Sequence, residues 1–300
     1  MAISENQLDT WAKQAPKQQF VDTYGSIRTV LMSTNAPYHG KRAFEVHLQG
    51  SYGNETNVYG DSDVDIVVCT SDTFGYDLND LAQNQQDLYR SSNGPNVQSA
   101  CGPFKQEVIA WLSRYYGSPS VLPGKKAILL KGNGSRRDAD ILVCTEYRHY
   151  YRYAFAGDPS FDSGVRFYTT DGTSIVNYPK QHADNCTAKH QATNGWFKPT
   201  ARIFKNMRNR MINRNIIGDD VAPSYFIEGM LCNVPNPNFG TSFQSTVANC
   251  LNWVRSANEL NLMCANQLRP LVGDGSADAW PTSNFSSFIT EAIKFWNAGG

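Results

Sequence analysis

The chain has no excess charge of either sign, no cysteine pair at metal-ligand spacing and no long apolar run. Lys plus Arg and Asp plus Glu each total 27 over 300 residues, so a broad basic surface devoted to long DNA or RNA is not expected. A local basic groove stays open. No stretch approaches the roughly 18 apolar residues of a membrane helix. The opening MAISENQLDTWAKQ lacks a basic region followed by an apolar run or cleavage-like signal. The expectation is a soluble, cytoplasmic protein. The seven cysteines, Cys69, Cys101, Cys144, Cys186, Cys232, Cys250 and Cys264, include no CxxC, and several end apolar runs such as DIVVC and DILVC. They read as reduced core residues. His182 and Cys186 would make half of a zinc site, but no second pair at ligand spacing accompanies them in the sequence. Internal repeats and low-complexity tracts are also missing.

Hydrophobic residues make up 41% of the chain, which makes it globular, and the length corresponds to about two domains. Apolar residues Leu8, Trp11, Phe20, Val21, Ile27 and Leu31 recur at helical spacing, interrupted by Pro16 and Gly25. A β-rich block follows: FEVHLQ before Gly50, DVDIVVC after it, and DADILVC at 138 to 144, with a helix over KQEVIAWLSRY between the last two. Gly, Pro, Asn and Asp then predict a long irregular connection over 157 to 194, with a hairpin at Asp171-Gly172. Downstream, the pattern predicts a basic helix from Lys198 to about Asn215, a helix from Pro223 to Cys232, a long one from Gln244 to Leu268 with room for breaks, and an amphipathic one from Phe285 to Trp296. The expected fold is α/β (α+β): a catalytic domain over 1–180, opened by a helix, and a helical domain over 181–300.

The segment from Gln49 to Cys69, QGSYGNETNVYGDSDVDIVVC, carries the chemistry. Alternate residues of a strand share a face, so Asp63 and Asp65 project together while Val64, Ile66 and Val67 supply apolar contacts. Two carboxylates side by side repel unless a cation or proton lies between them, and hard oxygen ligands suit Mg²⁺ or Mn²⁺. Gly50 permits close backbone approach, and Ser51 can begin a short helix, so a phosphate can be held there. A third carboxylate is expected for two-metal phosphoryl transfer. DADILVC offers Asp138 and Asp140 on one face. Periodicity does not choose between them, but Asp138 sits beside Arg136 and Arg137 as a solvated strand-entry acid would, and Asp140 abuts the apolar run. Asp61 shares the phase of Asp63 and Asp65 but follows Gly60 in a turn.

This GS…DVD pattern, with a later single-strand Asp and a helical second half, resembles the DNA polymerase β-like nucleotidyltransferase superfamily. Within it, GSYGNET…GDSDVDIVV is similar to the bacterial CD-NTases, the cyclic GMP-AMP synthase/DncV-like nucleotidyltransferases related to oligoadenylate synthase. NYPKQHADNCTAKHQATNGWFKPTARIFKNMRNR and APSYFIEGMLCNVP resemble that family's helical-domain signatures. The resemblance implies a polymerase β-like palm sheet plus an oligoadenylate-synthase-like helical C-terminal domain. It also implies a metal-binding catalytic triad of Asp63, Asp65 and Asp140, and a donor-nucleotide site lined by Gln49, Gly50 and Ser51. Lys205 and Ser224 match the family's triphosphate contacts from the helical domain. The residues by themselves give Lys205 a weaker reading, because a stripe of Lys198, Arg202 and Lys205 on one helical face is ordinarily a solvated face. Ser224, near a helix start, would ordinarily be an N-cap. The aromatic-basic run EYRHYYRY, Glu146 to Tyr153, offers a stacking surface for a base or a packed interface.

The implied activity is synthesis of a cyclic di- or trinucleotide messenger from ribonucleoside triphosphates, with two Mg²⁺ ions (Mn²⁺ as substitute), pyrophosphate release and a role in CBASS antiphage defence. The rivals are a linear oligonucleotide synthase, a transferase acting on RNA, protein or a small molecule, and an inactive nucleotide-sensing scaffold. All three acids are present, against the last. The implied partners are the nucleotides and a downstream effector that binds the product. No membrane and no long nucleic-acid activator is expected. The small, flexible tail ending in Gly300 reads by itself as a frayed end, and the resemblance implies its conjugation by a ubiquitin-transfer-like enzyme, as in some relatives.

Overall fold

A computed structural model describes residues 2–16, 18–59, 63–93, 101–155, 157–276 and 278–300. In chain order its helices and strands begin with α1 (Glu5–Ala12), α2 (Gln18–Leu31), β1 (Phe44–Leu48), α3 (Gly50–Gly53) and β2 (Val64–Asp77). Next come α4 (Gln83–Asn93), α5 (Cys101–Tyr116), β3 (Val121–Pro123), β4 (Ile128–Leu130), β5 (Ala139–Tyr153), β6 (Pro159–Tyr168) and β7 (Ser174–Asn177). The remainder is helical: α6 (Pro179–Ala192), α7 (Phe197–Asn213), α8 (Ser224–Asn233), α9 (Phe243–Ser256) and α10 (Thr282–Asn297). These elements form two compact units, one of Met1–Pro16, Gly50–Ser62 and Pro179–Gly300, the other of Lys17–Gln49 and Asp63–Tyr178. The division expected from sequence was linear, at residue 180. The compact units are discontinuous.

In the sheet unit the strands run in the order β1-β2-β5-β4-β3, with β6 pairing β5 and β7 pairing β6. Only β2 and β5 are parallel, and the crossover between them carries α4, α5, β3 and β4. Helices α2 and α5 pack together and on the sheet, with the Trp111 indole N–H donating to the Val30 carbonyl at 2.8 Å. Beyond the acidic residues, the same face of β2 and β5 turns apolar, with Val67, Cys69 and Cys144 packed on Val165, Phe167 and Ile175. Strands β2 and β5 outrun the expected segments. The run EYRHYYRY is the second half of β5, where Tyr150 and Tyr153 pack on Tyr89 at ring distances of 5.0 and 5.1 Å.

The helical unit buries one face of α7 through Phe197, Ala201, Phe204, Met207 and Met211, the spacing of a core-facing helix. Trp280 is fully buried, stacked on Phe226 at 5.6 Å and 10°, and its N–H donates to the Val221 carbonyl at 2.7 Å. Ser4 caps α1 by accepting from the Gln7 N–H, and the Glu5 carboxylate accepts from the first N–H groups of α9, Phe243 and Gln244, at 2.6 and 2.8 Å.

Three sequence expectations are corrected. The stretch 157–194 is not irregular: it holds β6, the expected hairpin with Gly172 at φ +83°, β7 and α6. Polar KQHADNCTAKHQA hides α6, although Pro179 at its first position is a start signal. The long helix to Leu268 stops at Ser256, and Asn258 then caps a single 3-10 turn. The tail is folded rather than flexible. Gly299 and Gly300 take φ of +89° and +85°, and the Gly300 N–H donates to the Phe295 carbonyl at 3.0 Å, a glycine-terminated helix end. The seven cysteines are free and all but Cys232 are buried, as expected. No helix among the described residues is long and apolar enough to cross a membrane.

Candidate active site

In the sheet unit, Asp65 and Asp140 are register partners on β2 and β5. Partners on neighbouring strands stand about 4.8 Å apart and their side chains leave the same face. Val64 and Ile66 on one strand, and Ala139 and Ile141 on the other, point the opposite way and are fully buried, so the core fixes the phase that puts both acids on one side. Asp63 precedes β2 by one residue and is exposed; the Val64 N–H beside it donates to the Asp138 carbonyl at 3.0 Å. On the other flank of Asp65, the Gln49 N–H donates to the Asp65 carbonyl at 3.0 Å, continuing the β1–β2 register. Gln49, Asp65 and Asp140 therefore form one row across three strands. The Gln49 Oε1 atom is buried without a hydrogen-bond partner, an acceptor ready for a ligand donor.

The electrostatics of the row fit a hard cation. Burial raises the pKa of Asp140 above the ordinary carboxylate value, and the charges of Asp63 and Asp138 raise it further. A divalent ion bound by oxygen ligands removes that strain, and the donor set is all carboxylate, as Mg²⁺ prefers. Asp138 is engaged elsewhere, its carboxylate accepting from the Gly132 N–H at 2.6 Å and closing the β4–β5 connection. Asp61 lies outside the described residues.

In the helical unit, Gly50 takes φ +72°, which glycine tolerates, and opens α3. Ser51 follows, partly exposed, with its carbonyl accepting from the Thr56 N–H at 2.8 Å. Ser224 is the first residue of α8 rather than its N-cap, which is Pro223. Its hydroxyl instead accepts from Arg208 Nη1 at 3.2 Å, and the same atom donates to the Ala222 carbonyl at 3.0 Å. This cation, 7% exposed, is missed by the sequence patterns above. It lies three residues after Lys205, one turn along α7, which was the available signal. Lys205 is not a solvated residue: it is 0% exposed, and its ammonium donates to Glu228 Oε1 at 2.7 Å.

The run Glu146 to Tyr153 is mostly structural. Tyr147, Tyr150 and Tyr153 are buried, Arg148 pairs with Glu146 and lies over the Phe74 ring at 3.7 Å, and His149 lies 3.0 Å from Asp80. Tyr151, 54% exposed, presents its ring outward. The half zinc site from sequence gains a neighbour, because Glu228 joins His182 and Cys186 within ligand reach. Burial opposes charge on His182, but its hydrogen bonds to Cys186 and Glu228 outweigh that and hold its pKa up at about 10. A proton and the Lys205 ammonium thus engage this cluster, and its thiol and imidazole do not suit Mg²⁺.

Comparison with known proteins converges on one family. The model of the cGAS/DncV-like nucleotidyltransferase C-terminal helical domain matches residues 184–297. The cyclic nucleotide synthase CdnE01 of Staphylococcus haemolyticus is 34% identical over 302 residues, covering 99% of both chains. The cyclic UMP-AMP synthase of Rhodothermus marinus is 35% identical over 301 residues, covering 100% of both. The solved structure of Rhodothermus marinus CdnE c-UMP-AMP synthase with Apcpp and Upnpp superposes with a TM-score of 0.86 at 34% identity, covering 99% of this chain and 98% of that one. Full-length identity above 30% to two such enzymes, and the shared α/β and helical architecture, make this chain a member of the cGAS/DncV-like nucleotidyltransferase family.

Proposed function

We propose that the chain is a metal-dependent cyclic-oligonucleotide synthase, joining ribonucleoside triphosphates into a cyclic dinucleotide with release of pyrophosphate. The observation that carries the reading is the row of Gln49, Asp65 and Asp140 on adjacent strands, with Asp63 one alternation before. The dinucleotide product is supported by the cyclic UMP-AMP synthase named above.

Asp63, Asp65 and Asp140 would hold two Mg²⁺ ions, for which Mn²⁺ can substitute. When bound, such ions lower the pKa of an attacking hydroxyl and neutralise charge on the triphosphate. The residues of the chain do the rest. Gln49 and the Gly50 backbone border the donor nucleotide, and Ser51 and Ser224 donate hydroxyl hydrogen bonds to its phosphates. Arg208, with Lys205 behind it on α7, supplies positive charge to the same phosphates. Asp140, whose burial and acidic neighbours raise its pKa, is the acid suited to orient the acceptor ribose hydroxyl and take its proton. A linear intermediate then re-enters for ring closure. The product would act on a downstream effector in cytoplasmic CBASS defence, and conjugation through Gly300 would require its folded tail to be drawn away from Phe295.

Incubating the purified protein with the four ribonucleoside triphosphates and Mg²⁺, then analysing phosphatase-resistant material by mass spectrometry, tests this. A cyclic dinucleotide lost in the Asp63→Asn, Asp65→Asn variant is the expected result. Linear products alone would make the enzyme an oligonucleotide polymerase, and no nucleotide consumption would make it a sensor.

A further inference from the structure

The GSYGNET turn is held from behind by one face of α7. Lys198 Nζ donates to the Glu55 carboxylate at 3.1 Å, and Arg202 Nη1 to the Glu55 carbonyl at 2.7 Å. Lys205 Nζ donates to the Thr56 carbonyl and hydroxyl at 3.2 and 2.9 Å. The basic stripe that sequence alone assigns to solvent is thus engaged with two consecutive residues. Glu228 of α8 completes the arrangement. Its Oε1 accepts from Lys205 at 2.7 Å and also from the Thr56 hydroxyl. Its Oε2 accepts from Asn54 Nδ2 at 2.9 Å and lies 2.6 Å from His182 Nε2.

Glu228 is 2% exposed and meets four donors. Stability alone is a poor reason to keep such a group, because well-packed apolar residues of similar volume serve as well or better. The turn it holds does need an external frame. Glu55 takes φ +58°, a left-handed conformation that a non-glycine residue keeps only when its surroundings determine it. The five groups held in this way belong to three consecutive turn positions, Asn54 to Thr56, and the Thr56 N–H bonds back to the Ser51 carbonyl at 2.8 Å. The frame therefore determines where Ser51 stands.

We propose that Glu228 is a positioning residue for nucleotide binding: with Lys205 it fixes Asn54 and Thr56, and through Thr56 it sets the Ser51 hydroxyl for the phosphates of a nucleoside triphosphate. The inference rests on Ser51 being a phosphate contact, as proposed above. It also moves Lys205 from direct contact to indirect action, since its ammonium is fully buried between Thr56 and Glu228. Arg208, bonded to Ser224, is then the α7 cation that meets phosphate.

The test is the binding of non-hydrolysable ribonucleoside triphosphate analogues, each of the four in turn, to the full chain in Mg²⁺. Glu228→Gln and Thr56→Val should each weaken the best analogue about tenfold, the scale of a lost supporting partner. Thr56→Ser, which keeps the hydroxyl, should bind as the wild type does. In a Ser51→Ala background the Glu228→Gln effect should vanish, because both act through one hydroxyl. A folded Thr56→Val protein with wild-type affinity, or losses that multiply with Ser51→Ala, would overturn the proposal. If Glu228→Gln fails to fold, the comparison of Thr56→Val with Thr56→Ser decides alone. Wild-type affinity in Ser51→Ala would instead refute the phosphate-contact reading. A weakened Ser51→Ala with an indifferent Thr56→Val would sink only the positioning role.

Discussion

Replacing Asp140 by Asn should stabilise the metal-free chain while abolishing synthesis. Asp65 and Asp140 are register partners on parallel strands, about 4.8 Å apart at that spacing. Two unit charges at this separation repel by about 1 kcal/mol in bulk water and about 3.5 kcal/mol at an effective dielectric of 20. Asp140 is half-buried, and burial, Asp63 and Asp138 all raise its pKa, so its charge is unfavourable before any partner arrives. Asn keeps the shape and removes the charge. The expected gain without metal is about 1–2 kcal/mol, or a rise of about 2–5 °C in Tm for a chain of this size. Metal should narrow or close that gap. At ten times its Kd, Mg²⁺ would stabilise the wild type by about 1.4 kcal/mol, and the variant, short of one ligand, by much less. Thermal unfolding in EDTA and in excess Mg²⁺ measures both. A variant less stable than wild type in EDTA, or an equal magnesium shift in the two proteins, would refute the account of the acid row.

Lys205→Met should destabilise the chain by about 3–5 kcal/mol in urea titration, since it leaves Glu228 buried without its Lys partner; a loss below about 1 kcal/mol would return Lys205 to a solvated role. Arg208→Lys should raise KM for the triphosphate about tenfold with a smaller change in kcat, because a bidentate-capable guanidinium is lost while positive charge remains; an unchanged KM would remove Arg208 from the site. Burial raises the pKa of Glu228, but Lys205 and His182 more than offset it and hold it well below the usual carboxylate range. Its ionised form therefore contributes stability in full above the unfolded value of about 4.3, and that contribution fades as pH falls below it. The stability gap between wild type and Glu228→Gln should accordingly narrow in acid; a gap constant from pH 7 to pH 3 would contradict the assignment.

The acid row was legible in sequence because its signal is local. Strand alternation alone pairs Asp63 with Asp65, and the apolar run after Asp140 marks its strand, although only the β2–β5 register brings Asp65 opposite Asp140. The helical half was readable where apolar spacing is strong, as in α7 and α10. Helix α6 was not, because it buries little beyond His182 and Cys186 and its exposed positions look like loop. The aromatic run of β5 was ambiguous for a similar reason: Tyr76, Tyr89 and Phe161, which bury its rings, come from other elements. The reading of the Lys205 stripe as a solvated face failed differently. Helical periodicity placed it on a face with Lys198 and Arg202, but whether a cationic face meets water, phosphate or protein depends on residues far away in the chain.

That distance has a temporal consequence. Thr56 and its partner Lys205 are separated by 149 positions, and Asn54 and Glu228 by 174. At roughly 5–20 residues per second of synthesis, the ribosome needs about 7–30 s after making the GSYGNET turn before the first of those partners exists. During that interval the acids of β2 and β5 can already be paired, yet the segment bearing Ser51 has no frame. A chain that stopped short of Glu228 would carry the carboxylates of β2 and β5 without the frame that holds Asn54, Glu55 and Thr56, so the acid row and the GSYGNET turn mature at different times.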